Sequence, residues 1–184
     1  MTALTIYSDR DEKPLEQIDD IDTITARLAD IGVEFERWEA SAELAPDADA
    51  DTVKQAYANQ IEKLNQRYDF QTVDVVSMHP QHPDKVAMRD KFLHEHSHAD
   101  FEVRFFVDGA GLFNLHTNDR VYALLCTRGD LISVPAGMLH WFDMGPEPFF
   151  KAIRFFIQPE GWVGNFTGNP IADRYPRLEA GAAG

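Results

Sequence analysis

Residues 94–102 read HEHSHADFE, with His94, His96 and His98 at alternate positions and Glu102 closing the run. The whole 184-residue chain holds only seven histidines, so this stretch concentrates them. Imidazole nitrogen and carboxylate oxygen together suit Fe(II), Ni(II), Mn(II) or Zn(II). In a strand, alternate side chains share a face, so all four groups would look toward one ion. Two registers have the same spacing: His94-x-His96-x3-Asp100 and His96-x-His98-x3-Glu102. In the second, six residues separate the acid from Gly109, where the chain is expected to turn; the first puts Val107 there. The second register is therefore preferred, and a fourth ligand comes from GDLISVPAGMLH, which runs from Gly129 to His140.

The neighbouring residues suggest what the ion would do. Arg104 has the parity of His96, His98 and Glu102, so its guanidinium is expected beside the metal, where it would favour an anionic, enolate-like ligand. Arg154 is a second candidate cation. Phe92, Phe142 and Trp162 are candidate apolar walls of a substrate pocket, with Phe142 sharing the parity of His140. Glu95 falls on the opposite face from the ligands, as a rim acid or one that bonds to them. His94 is expected at the rim, His79 and His82 on a surface loop, and His116 in a structural role. Arg128-Gly129-Asp130 reads as a turn, and Cys126 as a small apolar packing residue.

These groups must be positioned by elements of two kinds. Residues 1–93 read as helices with edge strands. ALTIYS is expected as an edge strand, DIDTITARLADIG as a helix with Ile24, Leu28 and Ile31 inward, and VEFERWE as a short strand. PDADADTVKQAYANQIEKLNQRY reads as one helix, TVDVVSM as a strand and DKVAMRDKFL as a short helix. Residues 94–160 read as strands and tight turns, with FEVRFFVDGAGLFNLH as a hairpin bent at Gly109 and Gly111. Six or so closely spaced strands predict a mainly β domain, an antiparallel barrel or sandwich with the first-half helices covering one side. No repeat or long linker divides residues 1–184, so a single domain is expected.

Composition narrows the partners. Seventeen Lys and Arg against 31 Asp and Glu give a net charge of −14, a field that repels nucleic acid and anionic membranes. No apolar run approaches the ~18 residues that span a bilayer, and the N-terminus shows no signal-peptide pattern. One cysteine fits a reducing, cytoplasmic setting.

The sequence resembles the cupin superfamily, whose first motif, G(x)5HxH(x)3-4E(x)6G, is met from His96 to Gly109 with Asp90 in place of the leading Gly. Its second, G(x)5PxG(x)2H(x)3N, is met from Gly129 to His140, with Met144 in place of Asn. More closely, the chain is similar to the acireductone dioxygenase family over ALTIYS, ERW, KFLHEHSHADFEVRFFVDGAGLF, DLISVPAGMLHWFDMG and PEGWVGNFTGNPIADRYPRL. Phe101 stands where that family commonly has an acid beside the ligands, and Met138-Leu139 where it usually has Thr-Pro; neither touches a ligand. The resemblance implies a jelly-roll-like cupin barrel holding one Fe(II) or Ni(II) per monomer on His96, His98, Glu102 and His140. It implies O2-dependent cleavage of acireductone (1,2-dihydroxy-3-keto-5-methylthiopentene) in methionine salvage. The products are formate and 4-methylthio-2-oxobutanoate with Fe(II), or 3-methylthiopropanoate, formate and carbon monoxide with Ni(II). A monomer is expected. A metal-dependent cupin isomerase of a sugar or related enediol is the alternative reading of the same ligands.

Overall fold

The computed structural model describes residues 1–179. In chain order its elements are β1 (Ala3–Ser8), β2 (Asp11–Ile18), α1 (Ile21–Ala29), β3 (Glu34–Arg37), α2 (Ala50–Ala56), α3 (Ala58–Tyr68), β4 (Thr72–Met78) and α4 (Lys85–Leu93). There follow β5 (His96–Ser97), β6 (Glu102–Thr117), β7 (Arg120–Thr127), β8 (Asp130–Val134), β9 (Leu139–Asp143), β10 (Phe150–Phe156), β11 (Asn165–Phe166) and a 3-10 turn, Pro170–Arg174. Every strand pairing among the described residues is antiparallel, and the fold is the expected mainly β, antiparallel domain with flanking helices. Among the described residues, no helix is long and apolar enough to cross a membrane.

Strand β6 ties the barrel together. Its first part pairs with β8 and β10, and Ala110–Thr117 pairs with β7 and β9. One sheet thus runs β11-β5-β9-β6-β7-β1-β2, and the other β4-β10-β6-β8-β3. The hairpin expected at Gly109 and Gly111 does not form; the segment is one strand of 16 residues that crosses from sheet to sheet. The pairing with β10 slips between Lys151 and Ala152, opposite Asp108 and Phe106. A bulge of this kind bends a strand and reverses the parity of its inward residues. Glu102, Arg104 and Phe106 point inward before it, and Gly111, Phe113 and Leu115 after it. Gly109 supplies the required backbone: its φ is +61°, and a Cβ would lie 1.9 Å from the Phe149 carbonyl oxygen.

Phe106, Phe113, Leu115, Ile132, Val134, Phe142 and Phe150 fill the barrel. Removing each such side chain from water is worth roughly 1.5–3 kcal/mol. Helix α1 adds Ile24 and Leu28 to this core, and its Asp20 cap accepts from Thr23 N at 2.8 Å. Val53, Tyr57 and Leu64 of the α2–α3 region pack on Val103, Phe105, Ile153 and Phe155 from outside. The single helix expected here breaks at Tyr57, whose ψ of 26° leaves the helical range. Ile171, Ala172 and Tyr175 cover Val121, Ala123 and Trp141 on the other sheet.

Strand β1 is interior to its sheet. The edge is β2, DEKPLEQI, whose charges give no apolar alternation and whose Pro14 cannot donate to a further strand. The chain's C-terminal part is fixed through Asp143, 1% exposed. Its carboxylate accepts from Arg89 Nε and Nη2 at 2.8 and 3.1 Å, and from the backbone N–H groups of Gly145 and Leu178, both at 2.9 Å. Asp143→Ala strands a partly buried guanidinium and two amides, so a loss of about 2–4 kcal/mol in unfolding free energy is expected from urea denaturation.

Candidate metal centre

Three elements converge on one point inside the barrel. His96 on β5 is paired directly with His140 on β9, and His140 is paired on its other side with Leu115 of β6. His98 lies in the connection after β5, and Glu102 opens β6. The regular strand expected through residues 94–102 is only the two residues of β5; cross-strand pairing brings the groups together. His94 caps the end of α4 with an exposed side chain near Asp90, away from the cluster.

Each clustered imidazole is oriented by a backbone carbonyl. Nδ1 of His96 lies 2.7 Å from His94 O, Nδ1 of His98 2.6 Å from Val163 O, and Nδ1 of His140 2.9 Å from Met138 O. A carbonyl oxygen only accepts, so each Nδ1 carries the proton and each Nε2 presents a lone pair. The three rings have donor atoms within 4.8 Å of one another, and all are buried. Burial lowers the pKa of His96 to about 4 and that of His140 to about 3, aided in His140 by the other imidazoles. Both are therefore neutral near pH 7, the form that binds metal.

Glu102 adjoins the cluster at His98, outside the three residues whose ligand atoms all lie within 4.8 Å of one another. Its Oε2 lies 3.0 Å from His98 Nε2, yet neither atom has a hydrogen-bond partner. With the proton of His98 on Nδ1, two acceptors face each other in a dry interior. The separation matches the edge of a coordination polyhedron with ligand bonds of about 2.1 Å, for which adjacent donors sit about 3 Å apart. His140 Nε2 is likewise buried without a partner. The donor set fits a divalent ion. Burial alone would raise the Glu102 pKa; Arg104, then the His98 contact and Arg154, outweigh it and hold the carboxyl well below the usual range.

Arg104 lies beside the cluster as expected, but it is committed: Nε and Nη2 donate to Glu102 Oε1 at 2.9 and 2.7 Å. Its guanidinium is sandwiched between the Phe113 and Phe142 rings at 4.9 and 4.8 Å. Gly111 makes room for this stack, since a Cβ there would come within 2.1 Å of Phe142 Cζ. Arg154, in register opposite Arg104, forms a bidentate pair with Asp74 of β4 at 2.8 and 2.7 Å. Phe92 and Trp162 pack edge to face 5.7 Å apart, and Trp162 covers His96 and His98 at 5.5 and 5.4 Å. Glu95 faces away from the cluster, accepting from His116 at 2.8 Å and from Thr167 at 3.0 Å. Phe101 packs against Tyr68 and Phe70 in the α3 cluster.

Sequence reasoning missed several contributors. The carbonyls of His94, Met138 and Val163 carry no side-chain signal. Phe113, stacked on His140 at 5.3 Å, was hidden by the parity change at the bulge. The segment bearing Trp162 and Val163 is held over the site by β11, which pairs Phe166 with His96. A surface cavity of about 240 Å³ bordered by His98, Phe156, Gly161 and Val163 reaches the His98 side.

The family model described as ARD/ARD′ matches residues 3–164. The chain belongs to the ARD/ARD′ family. It is 55% identical to the acireductone dioxygenase of Methylococcus capsulatus over 97% of this chain and 96% of that protein. It is 53% identical to the corresponding protein of Pseudomonas aeruginosa, over 97% and 99%. Among solved structures, acireductone dioxygenase from Bacillus anthracis, with a cadmium ion in its active center, aligns with a TM-score of 0.75 and 26% identity, over 90% of this chain and 98% of that one. This ARD-family chain is a dioxygenase, and its three buried histidines form a group able to hold a metal ion.

Replacing His96, His98, Glu102 or His140 by Ala is each expected to lower metal content, measured by mass spectrometry of the purified protein, whereas His94→Ala retains it. A second expectation concerns the metal-free protein. His96 and His140 bind protons more weakly folded than unfolded, so stability rises with pH from about 4 to the ordinary value of 6.5. Glu102 acts in the same direction, its contribution being lost as pH falls below 4.5. Urea midpoints in the presence of chelator are therefore expected to decline steadily as the pH falls from about 6.5 to 4, with little change above that window.

Proposed function

We propose that the chain is an acireductone dioxygenase of methionine salvage, working as a cytoplasmic monomer of one cupin domain with one Fe(II) or Ni(II) held by His96, His98, Glu102 and His140. The observation that carries this reading is the facing pair of unpartnered acceptors, His98 Nε2 and Glu102 Oε2, 3.0 Å apart beside His96 and His140. The charged and Pro-containing β2 edge supports the monomer. Fully buried Cys126 fits a reducing compartment.

A bound divalent ion supplies a Lewis acid that acidifies and anchors the enediol oxygens. The chain's own groups do the rest. Arg104 fixes the Glu102 carboxylate through Oε1, leaving Oε2 for the ion; it is a positioning residue in this reading. The three imidazoles, with Nδ1–H held by carbonyls, act as neutral ligands and take no proton from the substrate. Phe92, Phe142 and Trp162 exclude water and offer apolar contact to the methylthio tail. Arg154 adds positive charge from β10, opposite Arg104. Substrate and O2 together supply every atom of formate plus 4-methylthio-2-oxobutanoate, or of formate, carbon monoxide and 3-methylthiopropanoate.

Three adjacent oxygenated carbons allow two chelation modes, and about 1.4 kcal/mol between the corresponding transition states shifts the product ratio tenfold. Protein stripped of metal and reloaded with Fe(II) is expected to form the 2-oxo acid without carbon monoxide, and Ni(II)-loaded protein to release carbon monoxide into the headspace. Identical products would remove metal selection from this reading. Absence of O2-dependent cleavage by either form would remove the reading itself.

A further inference from the structure

Arg104 and Arg154 stand directly opposite each other on β6 and β10. Like charges so placed repel, and each is answered by a carboxylate: Glu102 for Arg104, Asp74 for Arg154. The pairs are not equivalent. Arg104 gives Nε and Nη2 to a single oxygen of Glu102, between two phenylalanine rings. Arg154 spends Nε and Nη2 on Asp74, and its Nη1 is buried with no partner, although the side chain is only 8% exposed. A second orphaned donor lies beside it: Trp162 Nε1 is also buried without a partner, and its ring lies 5.8 Å from the Arg154 guanidinium. The same ring rests against His96 and His98.

Buried donors are ordinarily satisfied, and a guanidinium N–H left unmet is among the costlier exceptions. Two such donors on side chains in contact through the indole face, at the edge of the histidine cluster, offer hydrogen bonds that an accepting oxygen atom or atoms of one ligand would satisfy. The charges agree. Two arginines balance two carboxylates, the imidazoles are neutral, and a divalent ion would leave two positive charges for a dianion to offset.

We propose that Arg154 Nη1 and Trp162 Nε1 together form the anchor for an enediolate oxygen, dividing the labour so that Arg104 orients the ligand Glu102 while Arg154 recognises the substrate. This rests on the function proposed above and names the residues that would give it specificity for an anionic enediol.

The test is anaerobic binding of acireductone to metal-loaded protein, followed by the ultraviolet absorbance of the enediol, with metal content measured on the same samples. Arg154→Met is expected to keep its metal and bind about 10- to 100-fold more weakly, the loss typical of a charged hydrogen bond. Trp162→Phe keeps the ring but lacks the N–H, and is expected to bind about tenfold more weakly. Lys91→Met removes an exposed cation 4.6 Å from the same ring and is expected to stay within threefold of the original protein, as it is the anchor and not general positive charge that holds the substrate. Wild-type affinity in Arg154→Met, or an equal loss in Lys91→Met, overturns the anchor. If Arg154→Met does not fold, Trp162→Phe decides: weakened binding with full metal supports the anchor, and unchanged binding overturns it. An original protein that cleaves acireductone while Arg154→Met binds it normally leaves the proposed function standing without the anchor; one that neither binds nor cleaves it fells both.

Discussion

Three buried imidazoles facing one another, with a carboxylate against one of them, are the constraint around which this molecule is organised. The imidazoles of His96 and His140, neutral near pH 7, cannot satisfy each other by hydrogen bonding once each Nδ1 proton is committed to a carbonyl. Buried polar atoms without partners are costly, so the arrangement is tolerable only with a cation at its centre. The rest of the barrel keeps the four from relaxing apart. The β5–β9 pairing fixes His96 against His140, the Val163 carbonyl ties His98 to the covering segment, and Arg104 fixes Glu102.

The local field inverts the global one. The chain carries a net charge of −14, yet the buried site is bordered by two guanidinium groups. Distance and dielectric explain the difference. Surface carboxylates are screened within about 8–10 Å at ordinary ionic strength, while charges inside the barrel act through a medium that screens far less. An anionic substrate repelled in bulk would thus meet a favourable field once inside. The aromatic rings around Arg104 and over the histidines keep that field dry, so the packing of Phe113, Phe142 and Trp162 belongs to the electrostatics as much as to the core.

Strand β6 carries the connection between fold and site. Its bulge lets one strand serve two sheets and turns Glu102 and Arg104 on one side of it, and Phe113 on the other, toward the same interior. Gly111 then leaves the space that Phe142 occupies, which places an aromatic face against Arg104. Backbone irregularity of this sort is common where a site must be aimed. The Trp162 segment closes over the result, held by the pairing of short β11 with β5 and by the packing of Trp162 on Phe92, His96 and His98.

The spacing of His96, His98, Glu102 and His140 made the candidate donor groups legible in the sequence, because donor chemistry depends on residue type and that is written directly in the chain. Turn residues and alternating apolar positions likewise pointed to a mainly β barrel, and Gly32 marked the stop of α1, whose cap the sequence put at Asp22 or nearby and the fold puts at Asp20. What sequence could not carry was anything that depends on partners distant along the chain. His94 has the same local parity as the ligands but is left at the end of α4, since only pairing with β9 decides which imidazoles meet. The Gly109 region looked like a turn because glycine is needed in turns and bulges alike, and only its neighbours on β10 distinguish them. Strand β2 left no periodic trace, since an exposed edge buries neither face. The roles of the two arginines were set by which carboxylate each one reached, Glu102 for Arg104 and Asp74 for Arg154, a choice made by side-chain packing across three strands. Residue chemistry is local and survives in the sequence, whereas convergence, charge pairing and the exclusion of water arise only when remote segments share one interior.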